Sequence, residues 1–128
     1  MRALLFALLL SALWSGASAA RPFDVEDLVN LKRLSEVQIS PDGSMAVYAL
    51  RETDMEGNRG QTRLWALGLI NPEAQPRPLT AFGASSPRFS ADGRSLLFLS
   101  GRGGSSQVYR LDLAQPGEAQ AVTNLGVD

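Results

Sequence analysis

Two stretches of the sequence share one pattern: residues 38–50, QISPDGSMAVYAL, and residues 88–100, RFSADGRSLLFLS. In each, a serine and an Asp-Gly pair stand between two runs rich in apolar residues. Proline, present in the first stretch, fixes φ at the first turn position, and glycine supplies the positive φ that a tight turn needs. We therefore predict a β-hairpin around each Asp-Gly pair, with the first turn at 40–44 and the second fifty residues later.

The repetition continues along the chain. Residues 64–67, LWAL, match residues 108–111, VYRL, and residues 78–80, PLT, match residues 121–123, AVT. Each unit thus has four short strands: one on either side of the Asp-Gly turn, one around an aromatic residue, and one that ends in threonine.

Four strands in a repeat of about 40–50 residues are typical of a β-propeller blade. The alternative is a meander or sandwich that contains two similar hairpins. We predict an all-β chain, a partial β-propeller with two four-stranded blades in residues 35–128 and the lead-in to a third. The first unit is longer, so a loop is expected at 51–61 where the second unit has only 101–106.

The number of blades bears on whether the chain is complete. Closed propellers have about four to eight blades, and a pair of blades leaves two open edges. We therefore expect the sequence to be a fragment of a longer protein. The alternative is a two-blade product whose copies assemble into a ring, and the sequence leaves the oligomeric state open.

A short lead segment, residues 21–34, precedes the first blade. Val25, Leu28, Val29 and Leu31 recur at the three- and four-residue spacing of an apolar helix face. Asp24 is suited to cap the first turn. We predict a short N-terminal helix of about ten residues that ends near residue 35, with Lys32 and Arg33 at its carboxyl end.

Residues 1–20 have the composition of a secretory signal peptide. A basic start at Arg2 is followed by an apolar run at 3–14 and by small residues at 15–20. The run is too short for a transmembrane helix, which needs about 20 apolar residues. We predict cleavage after Ala19 or Ala20, export to the periplasm or the medium, and no stable membrane anchor afterwards.

The composition excludes several kinds of site. The 128 residues include no His and no Cys, and the net charge is −1. A Ser-His-Asp or Cys-His nucleophilic site therefore cannot lie within this chain, and nothing indicates a nucleic-acid partner. Carboxylate-bound calcium stays possible at 54–58, but this stretch lacks a spaced ligand set and is better interpreted as a solvated loop. We predict no catalytic residue, no cofactor and no metal.

Other conspicuous residues have structural interpretations. Asp42 and Asp92 are better explained as turn residues than as an acid–base pair. The glycine-rich stretch 101–104 is a hairpin loop rather than an anion site, because no helix follows it. Trp65 and Tyr109 recur at equivalent positions, which favours packing between blades over ligand stacking. The two arginines that could pair with aspartates of neighbouring blades are Arg88 and Arg110.

Residues 86–112 resemble a known propeller repeat. SPRFSADGRSLLFLS resembles the pattern S-P-x-[WF]-S-P-D-G-x-x-[IL]-x-[FY], with Ala91 in place of its second proline, and GRGGSSQVYRLD resembles its continuation. The repeat is shared by the Tol-Pal translocation protein and by serine peptidases of the prolyl oligopeptidase family, including the dipeptidyl-peptidase and acylaminoacyl-peptidase branches. Residues 24–43 are similar to the start of bacterial acylaminoacyl-peptidase-like enzymes, where a helix with an E-D-L core leads into the first blade.

This resemblance implies a function for the longer protein. In the family, a C-terminal α/β-hydrolase domain carries a G-x-S-x-G nucleophile, and the propeller restricts access to short peptides. No G-x-S-x-G occurs in this chain, and residues 103–107, GGSSQ, fail at the fifth position. The resemblance therefore implies the propeller part of an exported serine peptidase with peptide substrates. The alternative is a TolB-like propeller that binds other proteins without catalysis.

Overall fold

The computed structural model describes residues 20–81, 83–115 and 117–126. The predicted signal segment thus lies outside the described residues except for Ala20. The described part contains one helix and eight strands, which we number in chain order: α1 Val25–Asn30, β1 Arg33–Ile39, β2 Met45–Asp54, β3 Arg59–Gly68, β4 Arg77–Pro78, β5 Ser85–Phe89, β6 Ser95–Ser100, β7 Gln107–Asp112 and β8 Gln120–Ala121.

The strands form two four-stranded antiparallel sheets. Strands β1 to β4 form the first in sequence order, and β5 to β8 form the second in the same way. We call these sheets blade 1 and blade 2. β5 comes closest to blade 1 and lies against β1, β2 and β3. The predicted fold class, a partial propeller of two four-stranded blades after a short helix, is confirmed.

Both predicted Asp-Gly hairpins are present. In blade 1, the amide of Ser40 donates to the Met45 carbonyl at 2.8 Å, and Gly43 has a φ of 72°. In blade 2, the amide of Ser90 donates to the Ser95 carbonyl at 2.8 Å, and Gly93 has a φ of 69°. The two turns have the same geometry because the same residue types occupy the positions that define it.

The loop predicted at 51–61 is instead part of a long hairpin. β2 and β3 pair without interruption from Met45 opposite Gly68 to Asp54 opposite Arg59. Only residues 55–58 form the turn, in which Asn58 has a φ of 46°. No proline or glycine interrupts β2, so the backbone ladder continues past the point where blade 2 ends its own strands.

The lead helix is shorter than predicted. It spans six residues, buries none of them, and ends where Leu31 takes an extended conformation with a ψ of 118°. Arg33 and Leu34 belong to β1 and pair with Arg51 and Leu50. Strand pairing satisfies the backbone of this segment, whereas a longer helix would have gained no buried surface.

The hydrophobic core lies between the two blades. Side chains alternate between the faces of a strand, so every second residue of β2, β3, β6 and β7 points into this layer. Phe98 and Leu64 are among the largest of the fully buried side chains. The members from blade 1 are Val47, Ala49, Leu64 and Ala66, and those from blade 2 are Leu96, Phe98, Tyr109 and Leu111.

The last strand of each blade is extended by a threonine. After β4, the hydroxyl of Thr80 accepts a hydrogen bond from the Leu64 amide at 3.0 Å. After β8, the hydroxyl of Thr123 accepts from the Val108 amide at 2.9 Å. This explains why both repeat units end in threonine: the side chain continues the ladder where the backbone leaves it.

Candidate functional site: the surface between the blades

The two conspicuous aspartates are acceptors within their turns. Asp42 accepts from the Ser40 hydroxyl at 2.6 Å and from the Ser44 amide at 3.0 Å. These hydrogen bonds, that from the Ser40 hydroxyl first, lower the pKa of the Asp42 carboxyl to about 2. A carboxylate held ionised by its own turn is a poor proton donor near neutral pH, so the arrangement does not support acid–base chemistry.

Asp92 has the same surroundings in blade 2. It accepts from the Ser90 hydroxyl at 2.6 Å and from the Arg94 amide at 3.1 Å. These bonds lower the pKa of the Asp92 carboxyl below its usual value of 3.8, again with the serine hydroxyl as the largest cause. Both aspartates therefore have the turn role that the sequence predicts.

The turns of successive blades touch each other. A Cβ placed on Gly93 would lie 3.2 Å from Cδ of Pro41, whereas a Cβ on Gly43 would meet no atom within 4 Å. The proline of the first turn thus packs against the glycine of the second. The face of the blades that carries these turns is held together partly by this contact.

Alanine substitutions at the two glycines distinguish the energetic cost of crowding Pro41 from the cost of backbone strain. Gly43→Ala and Gly93→Ala each place a side chain at a positive φ, which costs about 1–2 kcal/mol. Gly93→Ala must also displace Pro41, so we expect it to lower the free energy of local opening by more than Gly43→Ala. Hydrogen exchange of the turn amides measures both effects.

The matched control is the same pair of substitutions in a Pro41→Ala background. There the two alanines should become equally costly, because the crowding atom is gone. Equal costs with Pro41 in place would show that the turns do not press on each other.

A second contact joins the innermost strands at equivalent bulges. The β1–β2 register shifts between Ser35 and Gln38, and the β5–β6 register shifts between Ser85 and Arg88. Within these bulges Glu36 and Ser86, fifty residues apart, have φ values of 53° and 54°. The Glu36 carboxylate accepts from the Ser86 amide at 2.8 Å and from its hydroxyl at 3.2 Å. One bulge therefore provides the acceptor for the next.

The glycine-rich loop at 101–104 directs an arginine towards the core. The Arg102 guanidinium lies 4.8 Å from the Tyr109 ring centroid and 5.7 Å from that of Phe98. It also donates to the Ser100 hydroxyl at 3.3 Å. Phe98 and Tyr109 stack at 6.1 Å. The loop thus serves cation–π packing rather than an anion site.

A buried glutamine fastens the segment that follows β8. Gln107 is 7% exposed. Its carbonyl oxygen accepts from the Thr123 hydroxyl at 2.7 Å and from the Leu125 amide at 2.9 Å. Its amide nitrogen donates to the Leu125 carbonyl at 2.6 Å and to the Ser105 hydroxyl at 2.9 Å. This side chain replaces a strand partner for residues 123–125.

The stretch at 54–58 forms the tip of the long hairpin. Asp54 accepts from the Gly57 amide at 3.0 Å and pairs with Arg59 at 3.6 Å. Within residues 20–81, 83–115 and 117–126, no group of three potential ligands has the geometry to hold a metal ion. The Asp54 carboxylate is thus used by the turn itself.

The remaining residues singled out from the sequence are two aromatic residues and two arginines. Tyr109 is in the core between the blades, as predicted. Trp65 lies on the opposite face of blade 1, where the described residues include no further blade, so its packing between blades stays a prediction. Its indole nitrogen is buried and has no hydrogen-bond partner in the described part of the chain. Arg88 donates to the carbonyl of Pro87 and Arg110 to the hydroxyl of Ser95, so the suggested aspartate pairs are not formed within the described residues.

Glu36 and Gln107 are the interacting residues that sequence reasoning missed. The signal for Glu36 was its fifty-residue spacing from Ser86, which equals the period of the Asp-Gly turns. Nothing in the spacing indicates that one residue would contact the other. For Gln107, an amide next to a strand of apolar residues was the only sign of a buried polar role.

Among the residues that the structure describes, no helix is both long enough and apolar enough to cross a membrane.

Comparison with known proteins identifies relatives among peptidases. No family model matches the chain. It is 31% identical over 94 residues to dipeptidyl-peptidase 5 of Porphyromonas gingivalis, covering 73% of this chain and 14% of that protein. It is 25% identical over 100 residues to the uncharacterized peptidase YuxL of Bacillus subtilis, covering 78% and 15%. The chain thus spans about a seventh of the length of these relatives.

The solved structures agree on the fold. The acylaminoacyl peptidase of Pyrococcus horikoshii superposes with a TM-score of 0.63 at 22% identity, covering 80% of this chain and 15% of the other. At this identity the likeness concerns the fold alone. The chain is therefore similar, over 73–78% of its length, to a small part of two peptidases, and its fold is similar to part of an acylaminoacyl peptidase.

Proposed function

We propose that the chain is the N-terminal propeller part of an exported serine peptidase that hydrolyses short peptides. In this proposal the catalytic α/β-hydrolase domain lies outside the chain, and the propeller restricts access to it. The observation that carries the proposal is the 31% identity to a dipeptidyl-peptidase over 94 residues of a chain that folds into two packed blades.

The geometry supports a role in restricting access. The blades are joined at three levels: the Glu36 contact between the inner strands, the aromatic core, and the Pro41 contact between the turns. A wall joined in this way is expected to resist opening. In the proposal, this rigidity lets a flexible peptide pass and keeps a folded protein out. Selection by size follows from rigidity rather than from a specific pocket.

The rival function is a TolB-like propeller that binds proteins without catalysis. The two functions differ in one property of the full-length protein, namely whether it contains an activated serine. A fluorophosphonate probe reacts covalently with such a serine. We expect the full-length protein to be labelled, and prior treatment with an unlabelled serine-directed inhibitor is the control. Absence of labelling in folded protein would favour the binding module.

Restriction by size has its own readout. The full-length enzyme should cleave a peptide of about five to ten residues and leave the same sequence intact when it is held within a folded domain. Unfolding that domain beforehand, by heat or by reduction of a disulfide that stabilises it, should restore cleavage. Equal cleavage of the folded and unfolded forms would contradict access control by the propeller.

Export is part of the proposal and rests on the composition of residues 1–20. The mature protein should begin at Ala20 or Arg21. Mass spectrometry of the amino terminus after expression in a bacterial host, in separated cytoplasmic and periplasmic fractions, tests this. An intact Met1 in the exported fraction would contradict cleavage.

A further inference from the structure

A concave surface lies between the lead helix and the long hairpin of blade 1. Its volume is about 330 Å³. Two arginines and the apolar residues of α1 line it: Arg33 from β1, Arg51 from β2, and Leu28 and Leu31 from the helix and its cap. A positively charged wall thus meets an apolar wall in one cavity.

The two arginines are cross-strand neighbours. Arg33 and Arg51 are directly opposite each other in the β1–β2 register. Like charges at such positions destabilise a sheet. Both side chains are on the face that carries the core further along the strands, beyond the end of that core. Their juxtaposition therefore costs stability unless an anion lies between them.

The nearby carboxylates are already paired with other cations. Within the part of the chain that the structure describes, no acidic side chain lies within 4 Å of the Arg33 or Arg51 guanidinium. The ion pairs that use the carboxylates of this region are Asp27 with Arg21, Glu52 with Lys32 and Arg63, and Asp54 with Arg59. The arginine pair is thus left as an unneutralised site.

The hairpin holds one of the two arginines in position. The Arg51 guanidinium rests against Gly60, where a Cβ would collide with it. Glycine at this position of β3 lets the planar group lie flat on the strand. A guanidinium held in this way loses less freedom when it binds, and its fork of donors matches the two oxygens of a carboxylate.

We propose that Arg33 and Arg51 bind a carboxylate of a peptide ligand, with the neighbouring apolar part of the ligand on Leu28 and Leu31. This rests on the proposed function, because that function makes peptides the ligands. Two sources can supply the group: the terminal carboxylate of the peptide, or an acidic side chain within it. Both present the same planar anion.

The test measures peptide binding to the full-length protein by fluorescence anisotropy, with any reactive serine blocked by a fluorophosphonate. Three labelled pentapeptides share one neutral sequence: one has a free carboxyl terminus, one is amidated, and one is amidated with glutamate replacing an internal glutamine. We expect one of the two carboxylate peptides to bind about tenfold more tightly than the neutral one. The difference should shrink as salt rises from about 0.05 to about 0.5 M.

The double variant R33Q/R51Q should abolish this preference without weakening the neutral peptide. The matched control R77Q/R94Q removes the same charge from two exposed arginines elsewhere and should keep the preference. Equal binding of all three peptides to the wild type, or equal loss in both double variants, would overturn the proposal. If the fluorophosphonate labels the protein but no carboxylate preference is found, the peptidase function is supported and the arginine site is rejected. If a carboxylate preference is found but the fluorophosphonate does not label the protein, the arginine site is supported and the peptidase function is rejected.

Discussion

Replacing Phe98 by alanine is expected to lower the free energy of opening of the two blades by about 3–5 kcal/mol. Phe98 is 1% exposed and lies in the layer that joins the sheets. Its ring stacks on Tyr109 and lies beneath the Arg102 guanidinium. Truncation therefore leaves a cavity, breaks an aromatic pair, and removes a surface on which a largely buried cation rests.

Hydrogen exchange of the amides in β2, β3, β6 and β7 measures this effect, because opening of the layer exposes all four strands together. Met55→Ala is the matched control: it truncates a large apolar side chain that is 60% exposed at the hairpin tip. The control should change the opening free energy by no more than about 0.5 kcal/mol. If Phe98→Ala affected only β6 and β7, the blades would not share one cooperative core.

Gln107→Ala is expected to cost about 2–3 kcal/mol and to release residues 123–125. The substitution removes four hydrogen bonds, two of them to the backbone of Leu125. A net hydrogen bond contributes about 0.5–1.5 kcal/mol, and a partner left buried costs more. The exposed backbone of Leu125 recovers part of this from water, which keeps the total below the simple sum.

Hydrogen exchange at the Leu125 amide measures this change. The protection of this amide against exchange should disappear, while that of the β6 amides changes little. Gln120→Ala on β8 is the control, because Gln120 is exposed. Protection of Leu125 that survives in Gln107→Ala would show that other contacts hold the segment.

Local chemistry made the hairpins predictable. Ser40, Asp42 and Gly43 form a turn from contacts within five residues, so the sequence pattern and the geometry are nearly the same information. The alternation of β2 and β6 likewise follows from neighbours along the strand. The repeat of both features then predicted two blades.

Long-range competition explains the errors. The lead segment has helical spacing through Leu31, but pairing of Arg33 with Arg51, eighteen residues away, decides where the helix stops. The predicted loop at 51–61 fails because two polar strands can still form a continuous ladder. Local patterns contain no information on either partner.

The candidate site was less predictable than the fold for the same reason. Glu36 and Ser86 are adjacent only because two blades stack, and Arg102 reaches the aromatic pair only because its loop folds back. Sequence reasoning placed the glycines of that loop correctly but could not give the direction of the arginine.

The contact between Glu36 and Ser86 also has a mechanical meaning. It lies on the innermost strands, and the outermost strand of a four-stranded sheet is about 14 Å away, at three strand spacings. By this geometry, a rotation of about 4° around the inner edge would displace the outermost strand by about 1 Å, whereas the atoms of the Glu36–Ser86 contact, at the inner edge, would move far less. Displacement grows with distance from the inner edge, so the bulge pair restrains the inner rim of the wall more tightly than its outer rim.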